Sequence, residues 1–225
     1  MNYTAHKIGG LSLGAAVALS MFGNPVGNSL VQLQEGIVIG ASMIGAMLPD
    51  IDHPNSKISK KARITSRVVN TVAGHRGLLH APLFVVLLWI LFRIVKTTMI
   101  NSSVVSSVIS LIISMAVPFA GIIIALMKRG RISVTATMLI GMVFYWISQV
   151  YSMEMLYQCF TTGIITGYIS HLAMDSMTRT GIPLLYPITN RKYHVLSLKT
   201  GRDDLLAALI FLVGSLSFCV FFLLQ

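Results

Sequence analysis

Charge is what this 225-residue chain has least of. Charged side chains make up 11% of it, against roughly 25% in an ordinary soluble domain, and seven residues are acidic. With a mean hydropathy of +0.78, the shortage excludes a water-soluble globular domain. Cysteine is equally scarce. Cys159 and Cys219 stand singly in different apolar stretches without CxxC spacing, so a disulfide framework is excluded and both read as small core residues. There is no GxSxG elbow for a serine nucleophile and no GxxxxGK[ST] loop for a nucleotide phosphate. Neither an internal repeat nor a low-complexity tract is present.

What the chain has is long apolar runs. Residues 81–100, 104–127, 132–151, 155–174 and 205–224 each approach the ~20 residues a helix needs to cross the hydrocarbon. Two weaker stretches, 11–33 and 36–48, precede them, the first broken by Gly23-Asn24-Pro25. The expected fold is all-α: a polytopic membrane helical bundle of five long spans plus an N-terminal helical hairpin, about seven helices, in one integral membrane domain covering 1–225. The longest polar connections, 50–80 and 175–204, are too short for a soluble domain. The N-terminal apolar stretch imitates a signal peptide but lacks a small-x-small cleavage site, so it is expected to be retained.

The net charge of +10 suggests nucleic acid until its positions are read. Lys57, Lys60, Lys61, Arg63, Arg67 and Arg76 fall in one connection, Lys128, Arg129 and Arg131 in a second, and Arg179, Arg191, Lys192, Lys199 and Arg202 in a third. Alternating spans put all three on one side, which the positive-inside rule makes cytoplasmic. Membrane lipids, not nucleic acid, are the expected partners.

Most of the histidines and acids fall in four clusters: His6; Asp50, Asp52 and His53; His75 and His80; His171 and Asp175. The same alternation brings all four to the cytoplasmic face. His171 and Asp175 are four apart and share a helix face. Asp50 and Asp52 lie between Pro49 and Pro54, where a turn or extended segment is expected. Gly77 offers a break between His75 and His80. Imidazoles and carboxylates near lipid need a compensating charge, and a mixed His/Asp set suits a divalent metal: zinc first, with manganese or iron as alternatives. The clusters offer six or seven candidate ligands, more than one tetrahedral ion needs, so two or more ions are expected.

The strings Leu48-Pro49-Asp50-Ile51-Asp52-His53-Pro54, His75-Arg76-Gly77-Leu78-Leu79-His80 and His171-Leu172-Ala173-Met174-Asp175, with His6 before them and Thr178, Gly181 and Pro187 beyond, resemble the YdjM-type family of bacterial inner-membrane proteins, regarded as metal-dependent hydrolases. The resemblance spans nearly the whole chain. That family is considered distantly similar to zinc-dependent phospholipase C and the S1/P1 nucleases. The resemblance implies a bacterial inner-membrane location, phosphodiester hydrolysis, and metal-ligand roles for His6, Asp50, His75, His80, His171 and Asp175, with Asp52 and His53 either further ligands or groups behind them. The chain departs from those soluble enzymes in having six histidines, a single HxxxD and an initial methionine. A LexA-binding label in the family reflects promoter regulation, and no LexA complex is expected.

The expected function is membrane-bound, metal-dependent hydrolysis of a phosphodiester or phospholipid-like ester at the cytoplasmic face, through a metal-activated water. Asp52 and His53 are the candidates to orient that water or carry its proton, and Arg76, Arg179 or Arg191 to hold an amphiphilic phosphate ester. Two alternatives stay open. One is transport of a metal ion or proton, for which runs 104–127, 132–151 and 205–224 offer no histidine or acid. The other is a non-catalytic membrane protein whose clusters cap helices.

Overall fold

The computed structural model describes residues 3–23, 28–52, 78–100 and 152–223, with single helical positions at Val108, Ile112 and Val143. Among these the protein has five α-helices and no strand: α1 (Tyr3–Phe22), α2 (Ser29–Gly45), α3 (Pro82–Val95), α4 (Met153–Ser176) and α5 (Asp204–Leu223). Short 3-10 turns at Pro49–Asp52 and Leu78–His80 follow α2 and precede α3. Two compact units divide the chain, one comprising Met1–Leu91 with Cys159–Gln225 and the other Phe92–Gln158.

Local chemistry sets the helix ends. α1 stops at Gly23, whose φ of 72° is left-handed and whose N–H reaches Leu19 O at 2.9 Å, a glycine cap. Asn28 then starts α2, its side chain accepting from Leu30 N and Val31 N. Pro82 sits at the first position of α3, where its missing N–H costs nothing. Asp203 opens α5 by accepting from Ala207 N, while its carboxylate accepts from Lys199 N at 2.9 Å.

Small residues let α1, α2 and α4 approach backbone to backbone. Ser42 Oγ donates to Gly10 O at 2.7 Å across the α1–α2 contact. A Cβ on Gly163 would lie 2.6 Å from Ala41 Cβ, and one on Gly167 would overlap Ser42 O and stand 2.7 Å from Ala46 N. The pair Gly163 and Gly167 thus packs inside the chain, against α2. On the other side of α4, Met174 joins Ala5 of α1 and Ala208 of α5, with Ile8 and Phe211 around them. Tyr168, Leu172 and Ile182 form a second cluster with Leu48, Phe84, Val85 and Leu88. The outward faces of α3 and α5 stay apolar and exposed, from Val86, Trp89 and Leu91 to Val213, Leu216 and Phe221.

In the other unit α3 ends in a π turn at Lys96–Ile100. There Thr97 and Thr98 donate back to Arg93 O and Ile94 O, which loosens the helical ladder. Lys96 Nζ pairs with Glu154 Oε1 at 2.9 Å, and Tyr157 OH donates to Phe92 O.

The expected five spans and seven helices are not what the described residues show. Two helices among them are long and apolar enough to cross a membrane, Tyr3–Phe22 and Asp204–Phe221. Runs 104–127 and 132–151 lie outside the described residues, apart from the three single positions. Run 81–100 is divided between a 14-residue α-helix and the π turn. Run 155–174 lies in α4, which has the length at 24 residues, but Thr161, Thr162, Thr166, Ser170 and His171 make it more polar because it faces other helices. The N-terminal stretch forms two helices that pack on each other, α1 and α2, with bounds other than those expected. Its first helix begins at Tyr3, eight residues ahead of the apolar run at Leu11, and so includes His6.

Gly167→Ala tests the seam, with Gly214→Ala as control because nothing lies within 4 Å of a Cβ there. Gly167→Ala is expected to cost about 1–3 kcal/mol through overpacking, and Gly214→Ala to stabilise by up to ~1 kcal/mol through helix propensity, both read from unfolding in detergent.

Candidate metal centre

Four helix ends contribute to the centre. His6 lies in the second turn of α1, Asp50 in the 3-10 turn after α2, His80 at the end of the 3-10 turn before α3, and His171 with Asp175 in the last turns of α4. His6, His80, His171 and Asp175 are buried, and Asp50 is half-buried. The i,i+4 spacing on α4 brings His171 Nε2 to 3.4 Å from Asp175 Oδ2. His80 Nε2 stands 3.6 Å from the same oxygen, and His6 Nε2 is 3.3 Å from Asp175 Oδ1. The His6 and His171 rings stack at 3.8 Å, and His80 meets His171 edge-on at 5.3 Å. Donor atoms of His6, His171 and Asp175 lie within 4.8 Å of one another, as do those of Asp50, His80 and His171.

The protonation pattern follows from one contact. His171 Nδ1 lies 2.7 Å from Ala46 O. A carbonyl oxygen only accepts, so Nδ1 carries a hydrogen and the neutral ring leaves a lone pair on Nε2. That lone pair faces a carboxylate. Although buried, His171 Nε2 makes no hydrogen bond among the described residues, and neither ring nitrogen of His6 makes one. Buried polar atoms are seldom left so, and electron pairs converging in the interior need a cation among them. Two donors about 2.0–2.2 Å from one ion at a tetrahedral angle stand roughly 3.3–3.6 Å apart, the range of the three nitrogen–oxygen separations here. The residues fit a divalent metal, and the Ala46 carbonyl would then be the hydrogen-bond partner that orients the His171 imidazole toward it.

Two further supports hold the ends in place. Tyr168, fully buried on α4, donates its hydroxyl to Leu79 O, next to His80, and its ring stacks on Phe84 at 5.5 Å. Beyond Asp175, Thr178 Oγ1 donates to Asp175 O at 2.8 Å, and Val195 N and Leu198 N satisfy Ser176 O and Met177 O. Glycine is required once here: Gly181, at φ 60°, packs where a Cβ would overlap Tyr193 O, allowing Ile182 and Tyr193 to exchange backbone hydrogen bonds.

Of the candidate ligands, the structure gathers His6, Asp50, His80, His171 and Asp175. His75 and His53 lie outside the described residues, as does Arg76. The backbone of Asp52 closes the turn that Asp50 occupies. Arg179 and Arg191 are exposed and engaged elsewhere, the first donating to Ser197 O and the second over the Tyr193 ring. Sequence reading missed the Ala46 carbonyl and Tyr168.

An all-helical protein with a buried histidine–aspartate centre able to hold a metal ion is the class these features define. The YdjM inner membrane protein family matches residues 1–224, and the chain belongs to it. It is 25% identical to the uncharacterized protein YvsG of Bacillus subtilis over 89% of this chain and 82% of that one. It is 21% identical to the inner membrane protein YdjM of Escherichia coli, and equally to that of Shigella flexneri, over 67% of this chain and 49% of theirs. The chain thus spans about half the length of those two relatives. No solved structure matches it.

Tyr168→Phe keeps the ring and removes the hydroxyl. Because the hydroxyl holds Leu79 O and not His80 itself, the substitution is expected to weaken zinc binding by up to about 10-fold, no more than the smaller loss seen when a ligand's own hydrogen-bond partner is removed, with the helical circular dichroism unchanged; titration calorimetry in detergent reads it.

Proposed function

We propose that the protein is a membrane-bound metal-dependent hydrolase that cleaves a phosphodiester or phospholipid-like ester at the cytoplasmic face of the bacterial inner membrane. The observation that carries the reading is the buried His171 Nε2 lone pair facing Asp175, with its tautomer fixed from behind by Ala46 O. A divalent ion bound there, zinc first and manganese or iron next, supplies Lewis-acid polarisation and a water acidic enough to attack at neutral pH. His6, His80 and His171 offer imidazole nitrogens, and Asp50 and Asp175 offer carboxylates. His75 completes the proposed set and brings the number of ions to two or more.

The chain's own residues supply the remaining roles. Asp175 faces three imidazoles at once and sets the charge of the centre. Asp52 and His53, two and three residues after Asp50, orient the attacking water and take its proton. No serine or cysteine nucleophile is needed. The multi-pass topology keeps the basic connections and the four clusters on the cytoplasmic side. The donors sit at the start of α1 and the end of α4, and α5 carries no histidine or acid after Asp204. Ligands gathered at one end of helices favour chemistry at a surface over conduction through the bundle.

The test is turnover of headgroup-labelled phospholipids by the full chain in liposomes. Metal-stripped protein is expected to be silent, zinc to restore headgroup release, and His171→Ala to lose at least about 100-fold, the upper end of what outer-shell loss alone costs. Folded, metal-loaded protein that releases no headgroup yet passes zinc across the liposome would instead make it a transporter.

A further inference from the structure

The connection between α4 and α5, residues 177–203, has a composition unsuited to water. Leu184, Leu185, Ile188, Val195 and Leu196 are exposed, Ile188 at 89% and Val195 at 78%. The same segment carries Arg179, Arg191, Lys192, Lys199 and Arg202 against one acid, Asp203. Its form is built. Ile182 and Tyr193 exchange N–H···O bonds of 2.9 Å that close 183–192 into a loop, and Arg191 lies over the Tyr193 ring at the neck. A second pairing, Thr178 with Leu198, ties the base to the end of α4. Apolar side chains are thus held outward on a fixed frame with cations around them.

We infer that this loop is an interfacial element that seats on anionic phospholipid headgroups, with Leu184, Leu185 and Ile188 entering the acyl boundary and Arg191 and Lys192 meeting the headgroup charge. Three observations choose that occupant. The loop runs directly into α5, which is long and apolar enough to cross the membrane from Asp204 onward, so its end lies at the boundary between hydrocarbon and water. Its charge, five cations to one anion, complements an anionic leaflet. Its exposed side chains combine an apolar tip with a basic surround, the pattern of segments that lie in the interface. Because Val195 N holds Ser176 O, a loop seated this way brings headgroups to the end of α4 that carries Asp175. The inference rests on the protein being in the inner membrane and not on its hydrolytic chemistry.

The test places a nitroxide at Ile188→Cys in the full chain with Cys159→Ala and Cys219→Ala, reconstituted in discs of phosphatidylcholine alone or mixed equally with phosphatidylglycerol. Thr200→Cys, also exposed, is the reference. Depth is read from relative collision with oxygen and with a water-soluble nickel complex. In mixed discs the Ile188 label is expected about 5–10 Å below the headgroups, with the Thr200 label in water. Arg191→Gln with Lys192→Gln is expected to return the Ile188 label toward water, as is omission of phosphatidylglycerol. An Ile188 label in water in both discs overturns the inference. So does one equally deep without anionic lipid, or one shielded from both reagents, which would mark a protein contact. None of these readings depends on metal or turnover, so failure here leaves the hydrolase reading standing.

Discussion

The hydrogen bond between His171 Nδ1 and Ala46 O joins the packing of this protein to its chemistry. It exists because α2 and α4 touch at their backbones, which Gly163 and Gly167 permit. The contact carries the last residues of α2 to a point where a carbonyl no longer needed by the helix can accept from an imidazole. One consequence is electronic: the free pair of His171 is on Nε2. Another is geometric, since the ring is held beside Asp175 and stacked on His6. Widening the seam by one methyl group would disturb all three.

Burial makes the arrangement meaningful. A histidine–aspartate pair at a wet helix end is an ordinary cap, indifferent to metal. Here three imidazoles surround one carboxylate in the interior, and among the described residues both ring nitrogens of His6 and the Nε2 of His171 make no hydrogen bond. Such an assembly is costly unless a cation completes it. Elsewhere α3 and α5 turn apolar faces outward, as suits lipid and not water. Helix packing therefore rests on a few close seams, with the centre at the end of one of them.

The all-helical class was legible because hydropathy and the scarcity of charge report the solvent around a helix. The centre was legible in part for a different reason. His171 and Asp175 share a face by helical period alone, and the prolines around Asp50 ask for a turn or extended segment, of which the structure has the turn. His6 carried no local signal, since its role depends on α1 beginning at Tyr3 and lying against α4. The Ala46 carbonyl is a backbone atom that no residue pattern can announce, and Tyr168 looked like one more apolar-span aromatic. Span counting failed where composition answers to two demands: α4 is polar because it holds the centre, and α1 is rich in glycine because it packs closely.

The central claim is that the buried donors hold a metal ion, and metal content tests it most directly. The full chain, purified in detergent without chelator, would be analysed by elemental mass spectrometry beside His171→Ala with Asp175→Ala. The account predicts at least one stoichiometric divalent transition metal per wild-type chain and its loss from the variant. Folded wild-type protein that is metal-free and takes up no added zinc, manganese or iron would contradict it.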